Sequence, residues 1–129
     1  MSAGTDPYCR EAFPWDMPEN WDNTLREFYH DVIALRNSHE VLRTGDFSFI
    51  HARDKVVSYR RKLGNVEAVI SFNAGKTAQA VTLSAQELGH SAYRVAWPLG
   101  NRSSSTVRND AGLTIEIPPQ SAVILIAGE

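Results

Sequence analysis

The sequence predicts an all-β fold: an antiparallel Greek-key β-sandwich of about eight strands, preceded by one long α-helix and an irregular N-terminal segment. Three observations predict it. From Gly45 onward apolar residues recur with a period of two, interrupted at short intervals by turn-forming residues. Residues 21–39 carry apolar side chains at the helical spacing. Pro7, Pro14 and Pro18, half of the chain's six prolines, fall in the first twenty residues and rule out a long helix there. The expected organisation is therefore residues 1–20 irregular, 21–39 helical and 44–129 a sandwich.

The helix rests on Leu25, Phe28, Val32 and Leu35, flanked by Tyr29, Ile33 and Arg36. Asn20 or Asp22 is placed to cap its start, and neither Gly nor Pro interrupts its interior. So wide an apolar arc suggests that two different surfaces cover it; one broad core face is the simpler alternative. Beyond Gly45, Phe47, Phe49 and His51 are expected on one face of a strand. Val57 and Tyr59 alternate with Ser58 and Arg60, and Val66, Ala68, Ile70 and Phe72 alternate through the next run. Val81 and Leu83, then Tyr93, Val95 and Trp97, then Leu113, Ile115 and Ile117 repeat the pattern. The run from Ala122 to Ala127 is almost wholly apolar and predicts a strand buried on both faces. Turns are expected at 53–55, 64–65, 73–75, 99–101, 109–112 and at Pro118-Pro119, which cannot donate ladder hydrogen bonds.

Composition narrows the function classes. The chain has 129 residues, 43% apolar, and a formal net charge of −2. No basic surplus marks a nucleic-acid surface. No apolar run approaches the roughly 20 residues of a membrane-spanning helix, and no secretory leader is visible. Cys9 is the only cysteine, so no internal disulfide forms, and a cytoplasmic location is expected.

Catalytic signatures are missing. No G-x-S-x-G, H-E-x-x-H, Walker loop or G-x-G-x-x-G is found. His30, His39, His51 and His90 have no metal-ligand spacing, and no acidic cluster suggests calcium, so neither a metal nor another cofactor is expected. Asp46, Asp54, Glu67, Glu87, Asp110 and Glu116 fall at turns or on polar strand faces, where solvated charges belong. The first twenty residues are richer. Asp6 and Arg10 lie four apart around Pro7, and an acceptor and a forked donor can jointly bind vicinal sugar hydroxyls. Tyr8, Phe13 and Trp15 offer flat faces to a sugar ring. Alternatively, Asp6 and Arg10 simply pair and fix the loop, with Trp15 buried beneath it.

The run Gly4-x-Asp6-Pro7-x-x-Arg10-x-x-Phe13-Pro14-Trp15-Asp16 resembles the α-amylase superfamily, glycoside hydrolase family 13, and its neopullulanase, cyclomaltodextrinase and α-glucosidase branch in particular. Leu25-Arg26-Glu27-Phe28-Tyr29, continued to His39, is similar to that family's final barrel helix. Val41 to Phe47 is similar to its link into a C-terminal β-sandwich, and Ala68 to Asn73 to a strand of that sandwich. The resemblance implies that residues 1–20 follow the last strand of a (β/α)8 barrel. It also implies that the catalytic carboxylates lie upstream, since no position here matches them. The chain itself would then be non-catalytic, and its missing partner would be the barrel, acting on an α-glucan. Asp6 and Arg10 correspond to family residues that contact glucose near the non-reducing side of the cleavage point. Trp15 and Trp97 are candidates for stacking on sugar, and a carbohydrate-binding module, with Tyr59 or Tyr93 also in its platform, is the alternative reading. A helix 21–39 deprived of its barrel would leave an apolar face to self-associate, since burial is worth roughly 25 cal/mol per Å2. A homodimer through that helix is the expectation.

Overall fold

The computed structural model describes residues 4–10, 12–98, 105–107 and 112–128. The expected turns at 99–101 and 109–111, and with them Asp110, lie outside the described residues. Backbone contacts divide the chain into two units, residues 1–34 and 35–129.

The first unit holds two short 3-10 turns, Tyr8–Arg10 and Pro18–Asn20, and most of helix α1, Asn23–Ser38. Of the two candidate caps, Asp22 is the one used. Its Oδ1 accepts from the Leu25 amide at 2.9 Å, satisfying one of the helix's open N–H groups. Ahead of α1, the rings of Phe13 and Trp21 lie 5.4 Å apart, with Trp15 at 4.6 Å from Phe13 and 6.1 Å from Trp21. The Trp21 indole N–H donates to the Pro14 carbonyl at 2.7 Å, which pins the proline-rich segment. Along α1 the expected apolar stripe does not become a core face. Leu25, Phe28, Tyr29 and Ile33 are 48–58% exposed, and Leu35 alone on the helix is fully buried.

The second unit is the sandwich. A four-residue helix α2, Val41–Thr44, precedes eight strands: β1 Asp46–Arg53, β2 Val56–Leu63, β3 Val66–Asn73, β4 Gln79–Ser84, β5 Ala92–Trp97, β6 Ser105–Val107, β7 Gly112–Ile117 and β8 Ser121–Ala127. Six form one sheet in the order β1-β2-β3-β8-β5-β6, and β4 pairs with β7 in a second. All pairings are antiparallel. Helix α2 was not expected from the sequence, which reads there as a link. The Arg61 guanidinium holds it by donating to the carbonyls of Leu42, Arg43 and Gly45 at 2.7–3.3 Å, a cation at a helix C-terminus where open carbonyls collect.

Strands β3 and β8 are buried on both faces, as the apolar run 122–127 predicts for β8. Val69, Val123, Leu125 and Ala127 point into a core shared with Val81, Leu83, Leu113, Ile115 and Ile117 of the second sheet. Ala68, Ile70 and Ile126 point the opposite way, into a second core with Leu35, Val41 and Leu42. The register pairs like with like: Val69 with Leu125 between the sheets, Ile70 with Ile124 on the other side. Period-two side chains thus supply two cores from one pair of strands.

The structure corrects the expected polar faces. Glu67, Ser58, Ser71 and Asn73 are at most 2% exposed. Glu67 is therefore not a solvated charge. Its carboxylate accepts from the Gly89 amide, 3.2 Å to each oxygen, and from the Tyr93 hydroxyl. Ser58 and Ser71 share a hydrogen bond of 2.8 Å. Conversely, the apolar Val57 and Phe72 are 36% and 45% exposed. His51 does not share a face with Phe49, because a β-bulge separates them and shifts the register.

Asn73 closes the far end of β3. Its Nδ2 donates to the Thr77, Ile117 and Pro118 carbonyls at 2.8, 3.2 and 3.1 Å, and its Oδ1 accepts from the Gly75 amide at 2.8 Å. The Asn73→Ala variant should lose about 2–3 kcal/mol, because buried carbonyls are left without donors. Asn73→Asp should lose more, since a carboxylate would face three carbonyl oxygens. Urea unfolding midpoints at unchanged m-value measure both.

Candidate functional site

The Asp6–Arg10 pair forms around the first 3-10 turn, where the Arg10 amide donates to the Pro7 carbonyl at 3.0 Å. Arg10 Nε lies 2.7 Å from Asp6 Oδ1 and Nη2 donates to Oδ2 at 3.0 Å. The fork is therefore two-pronged, and the local turn is what aligns it. Both side chains are open to water, Arg10 75% and Asp6 60% exposed. Among the described residues, two of the five guanidinium N–H groups are engaged. Asp6 and Arg10 thus pair across this turn. Trp15 is not buried beneath the loop: it is 75% exposed and lies against Phe13. Cys9 is exposed as well.

The other candidate aromatics behave differently. Tyr93 is 1% exposed, with its hydroxyl turned to Glu67. Trp97 is half-buried against the core of Leu35, Val41, Leu42 and Ile126, and Tyr59 lies against the same core. Burial raises the Tyr59 phenol above its ordinary 10.0, while the nearby Arg61 and Arg36 charges pull it down.

Sequence reasoning missed an aromatic run on the outer face of β1–β3. Phe47 and Phe49 are 53% and 66% exposed, with ring centres 4.9 Å apart. Tyr59 lies 4.8 Å from Phe47 and 6.1 Å from Phe72. Period two marked these residues as sharing a face but carried no signal that the face is only partly covered. Among the described residues no three His, Cys, Asp or Glu side chains converge as a metal-ligand set, and no helix is long and apolar enough to cross a membrane.

An amylopullulanase of Thermoanaerobacterium saccharolyticum is 28% identical over 140 aligned residues, covering all of this chain and 11% of its own length. A cyclomaltodextrinase of Geobacillus thermopakistaniensis is 30% identical over 126 residues, covering 96% of this chain and 20% of its own length. The chain belongs to the α-amylase superfamily of glycoside hydrolases. It spans about a tenth to a fifth of the length of these curated relatives. No family model matches it. Among solved structures, an α-amylase of Geobacillus thermoleovorans in complex with acarbose shares the fold with a TM-score of 0.84 at 20% identity, over all of this chain and 27% of that one. An Anoxybacillus α-amylase gives 0.80 at 23% identity. The chain thus corresponds to a small part of larger α-amylase-family proteins.

Two measurements bear on these side chains. Because the exposed Asp6–Arg10 pair is screened by water, Asp6→Ala should shift the melting free energy by less than about 1 kcal/mol, and less still in high salt. Tyr59 contributes stability that is fully present below its unfolded pKa of about 10 and is lost as pH rises through its raised folded value. Tyr59→Phe should therefore remove one late-ionising phenol from the 295 nm titration and lessen the loss of stability above pH 10.

Proposed function

We propose that this chain is the non-catalytic C-terminal part of an α-glucan-acting glycoside hydrolase of the neopullulanase and cyclomaltodextrinase type. In this reading α1 is the last helix of a catalytic (β/α)8 barrel, and the sandwich is the non-catalytic domain that braces that barrel. The observation that carries the proposal is the alignment of nearly the whole chain with a short stretch of amylopullulanase and cyclomaltodextrinase relatives. The half-exposed Leu25, Phe28, Tyr29 and Ile33 support it, since these side chains then meet the rest of the enzyme. Asp6 and Arg10 contact a glucosyl unit near the non-reducing side of the cleavage point only in the complete enzyme, where other groups complete the subsite. Alone they cannot hydrolyse: arginine does not deprotonate usefully, and Asp6 pairs with a cation rather than with a second acid.

Incubated alone with starch, pullulan or cyclomaltodextrin, the chain should release no reducing ends; release by purified protein overturns the proposal. Size-exclusion chromatography with light scattering should show self-association through α1 that Phe28→Asp abolishes, because the substitution charges the middle of the apolar face. A strict monomer at high concentration counts against an uncovered helix.

A further inference from the structure

We propose that the cleft between β1 and β4, at the open side of the sandwich, is a sugar subsite that takes one ring of an α-glucan. β1 is the outer strand of the six-stranded sheet, and β4 belongs to the two-stranded one. Between them lies an open cleft of about 240 Å3, lined by His51, Arg53, Asp54, Gln79 and Thr82 among others. The bulge between Phe49 and His51 creates it. After the bulge His51 registers with Ser58, whose hydroxyl is buried between the sheets, and Arg53 registers with the buried Val56. Without the extra residue these two side chains would point to the opposite face of the sheet.

The donor set selects the ligand. Among the described residues no hydrogen bond or ion pair engages the side chains of His51, Arg53 or Asp54. Gln79 donates once, to the Thr77 hydroxyl at 3.1 Å, and keeps its carbonyl oxygen and one N–H. The Thr82 hydroxyl is shared with Thr114 at 3.0 Å, so the cleft offers a forked donor in Arg53, an acceptor-only carboxylate in Asp54, and His51 and Gln79, which do both. Arg53 and Asp54 cancel in charge, which disfavours an anion or a cation and suits a neutral ligand carrying alternating hydroxyls. The volume is below the roughly 300–1,000 Å3 of pockets for larger ligands, so one ring fits and the chain continues into solvent. That the ring is an α-linked glucose rests on the α-glucan reading above; the cleft's preference for a neutral polyol does not.

The test is a titration of the full 129-residue chain with maltotriose, followed by amide NMR and calorimetry. Saturable binding in the millimolar range is expected, with shifts centred on His51, Arg53, Asp54, Gln79 and Thr82. Arg53→Ala and Gln79→Ala should each weaken it about tenfold with unchanged melting temperature. Arg53→Lys should weaken it too, because lysine keeps the charge and loses the fork. Cellotriose separates the two readings: shifts at the same residues with cellotriose but not maltotriose keep the sugar site and defeat the α-glucan assignment. Silence with both at tens of millimolar, maltotriose shifts elsewhere, or tighter binding of inorganic phosphate at these residues overturns the proposal.

Discussion

The pairing of β3 with β8 is the constraint on which the rest of this protein depends. Their seven residue pairs, from Glu67–Ala127 to Asn73–Ser121, run through the middle of the larger sheet. Each strand sends alternate side chains into two different cores, so neither has a solvent face along its central residues. A slip of one residue would exchange Val69 with Ile70 and Leu125 with Ile126, placing every side chain in the wrong core. The remaining elements assemble outward from this pair: β2 and β5 beside it, the β4–β7 sheet over one face, and α2 with Leu35 over the other.

Polar groups terminate this central strand at both ends. Near its start, Glu67 holds the segment entering β5 through Gly89 and Tyr93. At its finish, Asn73 holds the β3–β4 turn and the end of β7. Burying such groups costs several kcal/mol unless every donor and acceptor is matched. Among the described residues no buried side-chain nitrogen or oxygen lacks a partner. The outcome is that the two sheets are joined by directional bonds as well as by apolar packing, which is non-directional and would tolerate sliding.

Much of this was legible beforehand, and the failures have a common origin. The helix start at Asp22, the turns at 54–55 and 64–65, the Pro118-Pro119 break and the doubly buried β8 all follow from local chemistry: capping oxygens, left-handed turn positions, missing amide hydrogens, an unbroken apolar run. Glu67 and Ser58 were misread because an alternating strand identifies two faces without saying that both are covered. The bulge at Phe49–His51 was equally hidden, since nothing in Phe-Ser-Phe-Ile-His-Ala-Arg announces an extra residue. Helix α2 is held from a distance by Arg61, eighteen or so positions along the chain, and no local pattern reveals that.

By itself the sequence determined where helix α1, most of the strands and their described turns lie, and it carried the motif of Asp6, Arg10 and Trp15 through which the chain resembles its superfamily. These are properties of neighbouring residues, where backbone dihedrals, capping and spacing act over a few positions. Only the tertiary structure decided which strand faces are wet and which carboxylate is solvated. It also decided which polar side chains meet across the open side of the sandwich. Those outcomes depend on what covers each surface, and the covering residues come from strands far apart in the chain, so their chemistry becomes specific only after the sheets have closed.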